Sequence, residues 1–261
     1  MELTVIGCSG SVAGPESPAS CYLVQTQHDG RTFSIALDMG AGAFGGLYGA
    51  MDPSELDAVA LSHLHPDHCI DLCALYVAAR YSPTAPWPAQ TIYGPTNTEA
   101  RIQRAYVAPG NREPGPGIAA QFNFVDWQPI QQIGPFEVTT TRVDHPVEAY
   151  AIRVTDTSPG GGSLVYSGDT GPTPALVSIA ENADLLLVEA SFMDVPGNPT
   201  NLHMNGREAA AAGSAAGVGT VVLTHIPPWH DPRRVLTEAT PHFSGPVQLA
   251  TVGAHWTIGA P

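Results

Sequence analysis

The six residues His63-Leu64-His65-Pro66-Asp67-His68 follow directly on the apolar run Ala58-Val59-Ala60-Leu61, so four donor side chains sit where a buried strand gives way to a loop. Three imidazoles and a carboxylate packed this closely resist burial unless something cationic satisfies them. Neutral imidazole and carboxylate are donors that Zn²⁺ or Mn²⁺ accept. His63 and His65 share one side of an extended segment, whereas Asp67 and His68 open the following helix and point elsewhere, so one cluster can serve two ions.

Around this cluster the chain reads as an α/β protein. Its 261 residues, 43% of them apolar, suit a single domain over 1–261 with a substantial core. Candidate strands are Leu3–Ile6, Cys21–Gln25, Phe33–Leu37, Ala58–Leu61, Thr91–Tyr93 and Phe122–Val125 in the first half. Phe136–Val143, Ala149–Val154, Ser163–Tyr166, Leu185–Val188, Val221–Leu223 and Val247–Thr251 follow in the second. Helical periodicity is clearest over Asp67–Arg80, Thr96–Tyr106, Thr173–Asn182 and Asn205–Gly217. The early strands read as a meander and the later ones alternate with helices, which two face-to-face sheets with helices outside accommodate. Ser82–Pro88 and Pro109–Gly117 are too rich in proline and glycine for regular structure, and no internal repeat is visible.

Charge narrows the partners. With 24 acidic against 10 basic side chains the net charge is −14, and two bound divalent cations would leave it strongly negative. A polynucleotide partner calls for clustered Lys and Arg, which are absent here; a small anionic substrate drawn by the local field of two metals remains compatible. No run of about 18 apolar residues is present, so no membrane helix is expected. Met1–Gly7 lacks a basic leader and reads as a strand, and Cys8, Cys21, Cys69 and Cys73 show no stapling pattern. A reduced, cytoplasmic setting is the expectation.

Three further segments share one grammar, an apolar strand ending in a donor: Arg142-Val143-Asp144-His145, Leu164-Val165-Tyr166-Ser167-Gly168-Asp169 and Val221-Val222-Leu223-Thr224-His225. Strand ends are rigid platforms of the kind metal geometry requires. Together, His63-x-His65-x-Asp67-His68, His145, Asp169 and His225 resemble the metallo-β-lactamase superfamily. Tyr166-Ser167-Gly168-Asp169-Thr170 and Leu223-Thr224-His225-Ile226-Pro227 are similar to its tRNase Z-like branch. The resemblance implies a four-layer αββα sandwich with a two-metal centre along one edge. It implies that His63, His65 and His145 hold one ion, that Asp67, His68 and His225 hold the other, and that Asp169 bridges them. Asp38, in Leu37-Asp38-Met39-Gly40, matches the motif whose carboxylate supports the metal loop from behind the ligands.

Within that branch the chain departs from the tRNA-processing enzymes. Their long protruding arm lies between the positions of His145 and Asp169; here the two stand only 24 positions apart, and the stretch between them has the character of a hairpin. Their His-Glu-Ala-Thr motif appears as Val188-Glu189-Ala190-Ser191, and their His-Ser-Thr motif keeps only its histidine in His203-Met204-Asn205. The segments Gly7–Ser11, Ser17–Ser20 and Leu223–Trp229 resemble actinobacterial members described as atypical class II cyclic-nucleotide phosphodiesterases. That resemblance implies hydrolysis of a 3′,5′-cyclic nucleotide, cAMP foremost, to its 5′-monophosphate. Two divalent ions are expected, Zn²⁺ first, with Mn²⁺ or Fe²⁺ as alternatives.

Asp67 is then a ligand that also orients the attacking water, and His203, paired with Glu189, is the candidate general acid for the departing ribose oxygen. Trp229, Phe44 and Tyr48 are candidate substrate contacts. His28, His230, His242 and His255 lack the strand-end grammar and read as surface or packing residues, and Cys69 and Cys73 as core thiols. The expected partner is a small phosphodiester, with no stable nucleic-acid or membrane partner and a homodimer as the family's state. Competing readings are a tRNase Z-type endonuclease, a lactonase, thioesterase or sulfatase on the same scaffold, and a metal-binding module without turnover.

Overall fold

A computed structural model describes residues 1–107 and 117–260. The first sheet holds β1 (Glu2–Gly7), β2 (Cys21–His28), β3 (Arg31–Leu37), β4 (Ala58–Ala60), β5 (Gln90–Gly94) and β6 (Phe122–Asp126). The second holds β7 (Ile130–Ile133), β8 (Phe136–Arg142), β9 (Tyr150–Asp156), β10 (Ser163–Tyr166), β11 (Leu185–Glu189), β12 (Thr220–Thr224) and β13 (Val247–Leu249). A last strand, β14 (His255–Thr257), returns to the β1 edge of the first sheet, giving the orders β14-β1-β2-β3-β4-β5-β6 and β13-β12-β11-β10-β9-β8-β7. Helices α1 (Ala43–Ala50), α2 (Pro66–Cys69), α3 (Leu72–Tyr81) and α4 (Thr98–Tyr106) belong to the first half, α5 (Pro174–Ile179), α6 (Gly206–Ala216) and α7 (Pro232–Ala239) to the second. None is long and apolar enough to cross a membrane.

Strict alternation along the central strands builds the layers. Tyr22, Val24, Ile35 and Leu37 face Val138, Ile152, Leu164 and Leu187 in the middle layer between the sheets. Their neighbours Cys21, Leu23 and Ala36 point outward against Leu47, Leu72, Leu75 and Ile102 of the first helical layer. Leu186, Val188, Val221 and Leu223 do the same against Leu176, Ala209 and Val235 of the second. Strands covered on both faces lose the alternating polar signal and become continuous apolar runs, as the sequence shows. Each fully buried Leu or Ile contributes roughly 1.5–3 kcal/mol of transfer free energy, so all three apolar layers hold the sandwich together.

The meander does not precede the helix-linked part once, as expected; it occurs twice. β1–β3 and β8–β10 run antiparallel, with β14 and β7 as matching antiparallel edges, and each sheet then continues in parallel through three strands, β4–β6 and β11–β13. By this parity β1, β3 and β4 of one sheet, and β8, β10, β11 and β12 of the other, deliver their C-terminal ends to one edge.

Several expected elements shift. The helix expected over Asp67–Arg80 is two helices, broken at Ile70–Asp71. The Asp71 amide donates to Met39 O (3.1 Å) where an unbroken helix would use Asp67 O, and Met39 in turn donates to His68 O (2.8 Å). Gly40 presses on Asp67 O so closely that a Cβ there would lie 1.9 Å from it. The loop after β3 thus occupies the backbone that would have continued the helix. Glycine's low helix propensity hid α1, whose Ala43 and Leu47 pack inward one turn apart. The polar α7 was also missed, although Asp231 caps it and Pro232 starts it. The short edge strands β7 and β14 carry too little pattern to be read. Ser82–Pro88 is irregular, as expected; of Pro109–Gly117, residues 109–116 lie outside the described residues.

Candidate metal centre

Every singled-out donor stands at the edge where the parallel strand ends converge. Asp38 follows β3, His63 and His65 follow β4, and Asp67 and His68 lie in the first turn of α2. His145 follows β8, Asp169 follows β10, Glu189 ends β11 and His225 follows β12. Ligand sites outside the carboxyl ends of strands are a general property of such sheets.

The structure gathers seven of these residues into two clusters that share one carboxylate. Donor atoms of His63, His65, His145 and Asp169 lie within 4.8 Å of one another, and so do those of Asp67, His68, Asp169 and His225. In the outer cluster His63 Nε2 and His145 Nε2 approach His65 Nδ1 at 3.0 and 3.2 Å. In the inner cluster His68 Nε2 and His225 Nε2 are 3.1 Å apart, with Asp67 Oδ2 3.4 and 3.1 Å from them. Asp169 turns Oδ2 toward His63 (3.7 Å) and Oδ1 toward His68 (3.2 Å) and His225 (3.4 Å).

Outer hydrogen bonds decide which ring nitrogen is bare. Ser62 gives its hydroxyl proton to Asp38 Oδ2 (2.7 Å), so it accepts from His63 Nδ1 (3.1 Å). His145 Nδ1 donates to Leu202 O (3.0 Å) and His68 Nδ1 to Asp38 Oδ2 (2.7 Å). Ser191 gives its proton to His225 O (2.9 Å) and accepts from His225 Nδ1 (2.7 Å). With Nδ1 protonated in all four rings, four Nε2 lone pairs aim inward once the rings are neutral, which is how ligating histidines are held. Asp169 Oδ1 is buried without a hydrogen-bond partner. Converging lone pairs and an orphaned carboxylate oxygen fit a pair of divalent cations and fit little else.

The electrostatics carry the same signature. Burial pushes the His63, His65 and His145 rings below the usual histidine range. Burial acts against His68 as well, but Asp169 and Asp38 outweigh it and raise that ring well above its ordinary value. Asp67 and Asp169 are held well below the usual carboxylate range: burial opposes this, and the facing His225 and His68 rings win.

Asp38, fully buried, accepts four bonds: from Ser62 N (2.7 Å), the Ser62 hydroxyl, His68 Nδ1 and the Tyr166 hydroxyl (2.8 Å). It holds a left-handed backbone (φ 59°), as does His225 (φ 55°), a conformation uncommon outside glycine. Sequence reasoning missed Ser62, Tyr166, Ser191 and the Leu202 carbonyl. Ser62 and Tyr166 stood next to or inside the motifs, but no pattern marks a residue that aims a neighbour's ring.

Glu189 and His203 meet beside the inner cluster. Glu189 is fully buried; its Oε1 accepts His203 Nδ1 (2.9 Å) and Thr170 N (2.7 Å), and its Oε2 accepts Ser191 N and Met204 N, both at 3.3 Å. His203 Nδ1 lies 4.0 Å from Asp169 Oδ2. Burial lowers the proton affinity of His203, but the Glu189 bond and charge overcome it, so its pKa is raised. The capping box of α6, Asn205 with Glu208, anchors the chain two residues beyond His203.

Of the candidate substrate contacts, Trp229 is 63% exposed on the loop after His225, which rules out a core role. Phe44 and Tyr48 lie on α1, packed edge to face at 5.4 Å, and Phe44 N donates to Asp71 Oδ2 (3.0 Å). His28, His230, His242 and His255 join none of the donor clusters found among the described residues. All four cysteines are free thiols; Cys21 and Cys69 are buried, whereas Cys8 and Cys73 are only half-buried rather than core. The interval from His145 to Asp169 is filled by the β9–β10 hairpin.

A family model described as the β-lactamase superfamily domain matches residues 46–226. An uncharacterised protein of Mycobacterium leprae is 42% identical over 262 residues, spanning 100% of this chain and 90% of its own length. The probable metallo-hydrolase YhfI of Bacillus subtilis is 32% identical over 98% of this chain and 99% of its length. Its crystal structure, described as a metallo-β-lactamase fold protein, superposes with a TM-score of 0.83, 30% identity and coverage of 98% and 99%. Human tRNase Z, short form, shares the fold at a TM-score of 0.74 and 20% identity, covering 99% of each chain.

Proposed function

The chain belongs to the β-lactamase superfamily and is a metal-dependent hydrolase of that fold; from this premise we propose that it is a dinuclear phosphodiesterase cleaving small 3′,5′-cyclic nucleotides, cAMP foremost, to 5′-monophosphates. One observation carries the reading: two donor clusters share Asp169, with the Glu189–His203 pair set against them. His63, His65 and His145 would hold one ion, Asp67, His68 and His225 the other. Zn²⁺ suits the donors best, and Mn²⁺ and Fe²⁺ are accepted. When bound, the pair supplies an activated water and neutralises charge that builds on the phosphoryl oxygens.

The remaining work falls to side chains. Asp67, held as a carboxylate, orients the attacking water and accepts its proton. His203 gives Nδ1–H to Glu189, which leaves Nε2 to hand a proton to the departing ribose oxygen. An alkoxide is a poor leaving group, so such an acid matters most for an alkyl phosphodiester. The net charge of −14 disfavours a polynucleotide, and a hairpin stands where the resemblance places a tRNA-binding arm. Trp229 offers a face for a purine beside the His225 loop.

A panel of 3′,5′- and 2′,3′-cyclic nucleotides, pre-tRNA, lactones and thioesters, with metal content measured on the same sample, tests the substrate. Fastest turnover of a 3′,5′-cyclic nucleotide is expected; pre-tRNA or a lactone in first place overturns the reading. His203→Ala is expected to slow the cyclic nucleotide about 10²–10⁴-fold while barely slowing a nitrophenyl phosphodiester, whose leaving group needs no proton. An equal loss on both removes the acid role.

A further inference from the structure

The loop after β1, Cys8-Ser9-Gly10-Ser11-Val12, is pressed onto the end of β12 by three contacts. Ser9 forms a parallel bridge with Ile226, Gly10 N donates to Ile226 O (3.2 Å), and Ser11 N donates to His225 Nε2 (3.3 Å). The approach is close enough that a Cβ on Gly10 would lie 2.1 Å from His225 O. Ser11 itself is exposed, and its backbone is left-handed (φ 63°). An exposed non-glycine residue thus holds a rarely adopted backbone conformation, and in that conformation its N–H points at His225.

His225 Nε2 has one lone pair, because its ring proton is committed to Ser191 through Nδ1. That lone pair cannot serve both the Ser11 amide and a cation in the inner cluster. We infer that the Ser11 backbone N–H is an anion-hole donor: once His225 is committed to a cation, this amide loses its acceptor and turns to an anionic oxygen of the substrate. The inference rests on the two-cation reading of the site and adds to it a recognition group supplied by the main chain. A preset backbone donor at an oxygen that gains negative charge stabilises the transition state more than the ground state. It suits a phosphoryl oxygen, and no Lys or Arg side chain is required to hold it.

Amide NMR of ¹⁵N-labelled protein tests this, with Zn²⁺ and inorganic phosphate as probes and Gly10 and Val12 as internal controls. Those two amides already donate to Ile226 O and Gly10 O (2.7 Å for the latter). Zn²⁺ is expected to shift the Ser11 amide proton upfield as its acceptor is lost, and phosphate to shift it back downfield more than either control. Phosphate binding to the loaded protein, measured by calorimetry, with a still Ser11 amide overturns the inference alone. Failure to bind Zn²⁺ overturns the metal-centre reading instead. Replacing the Ser11 amide by an ester is expected to lower kcat/KM about a hundredfold with Zn²⁺ content intact. Unchanged kcat/KM, or loss of Zn²⁺, shows a loop that acts without donating to substrate.

Discussion

The two clusters differ in how much protein stands behind them. All four inner donors are buried, whereas His65 and His145 of the outer cluster are half-buried. The inner rings are aimed by Asp38 and Ser191, and Asp38 is itself braced from across the sandwich by Tyr166. The outer cluster relies on Ser62 and one carbonyl, that of Leu202. Inner donors include Asp67 as well as the shared Asp169, so they present more negative charge to a dication. The contrast teaches that the inner donors are fixed by more of the fold than the outer ones are, so an ion held there is expected to be the harder of the two to remove.

Removing what the clusters share has the largest expected effect. Asp169→Ala empties both, and turnover falls by more than about a hundredfold, beyond the cost of losing a supporting partner. Metal analysis after gel filtration checks it, and two retained ions would break the comparison. Next, Asp38→Ala strikes the inner cluster harder than the outer. His68 Nδ1, Ser62 and Tyr166 lose a buried acceptor, inner affinity falls about 10–100-fold and stability by about 3–5 kcal/mol, while outer affinity falls less, since Asp38 reaches His63 only through Ser62. Calorimetric metal titration with urea unfolding separates the two.

His65→Ala is gentler: the bound metal falls from two ions to one, and the melting temperature of the metal-free protein hardly moves, since that ring is half-buried. Loss of both ions would mean that the inner cluster cannot hold an ion without a second one beside it, and would break the contrast. The smallest effect lies at the opposite edge. Asp156 ends β9, and its carboxyl is held below the usual range; burial opposes this, but the Ser158 and Thr26 hydroxyls outweigh it. A depressed folded pKa stabilises above the unfolded value, near 3.8, and that gain is lost as pH falls through the folded one. Asp156→Asn therefore costs about 1.5 kcal/mol at neutral pH, closing toward zero in acid, with metal content unchanged. Urea unfolding at pH 7 and pH 3 measures it.

The donors of both clusters were equally legible in sequence, because the run His63–His68 and the strand-end His145, Asp169 and His225 are patterns. The layers were legible too: doubly covered strands such as Cys21–Val24 and Leu185–Val188 announce themselves as apolar runs. What stayed hidden depends on contacts made across the sandwich. Tyr166 reaches Asp38 from the other sheet, 128 positions away, and Ser191 orients His225 from 34 away. The break between α2 and α3 was illegible for the same reason, since Met39 and Gly40 impose it from outside the segment. Local periodicity carries no trace of a competing partner.

Asp169 gives one oxygen to each cluster from a single rigid plane. The first ion to arrive would pin that plane and preset the other oxygen for the next arrival, which would then lose less orientational entropy. Metal uptake is therefore expected to be cooperative, with a titration curve steeper than two independent sites allow.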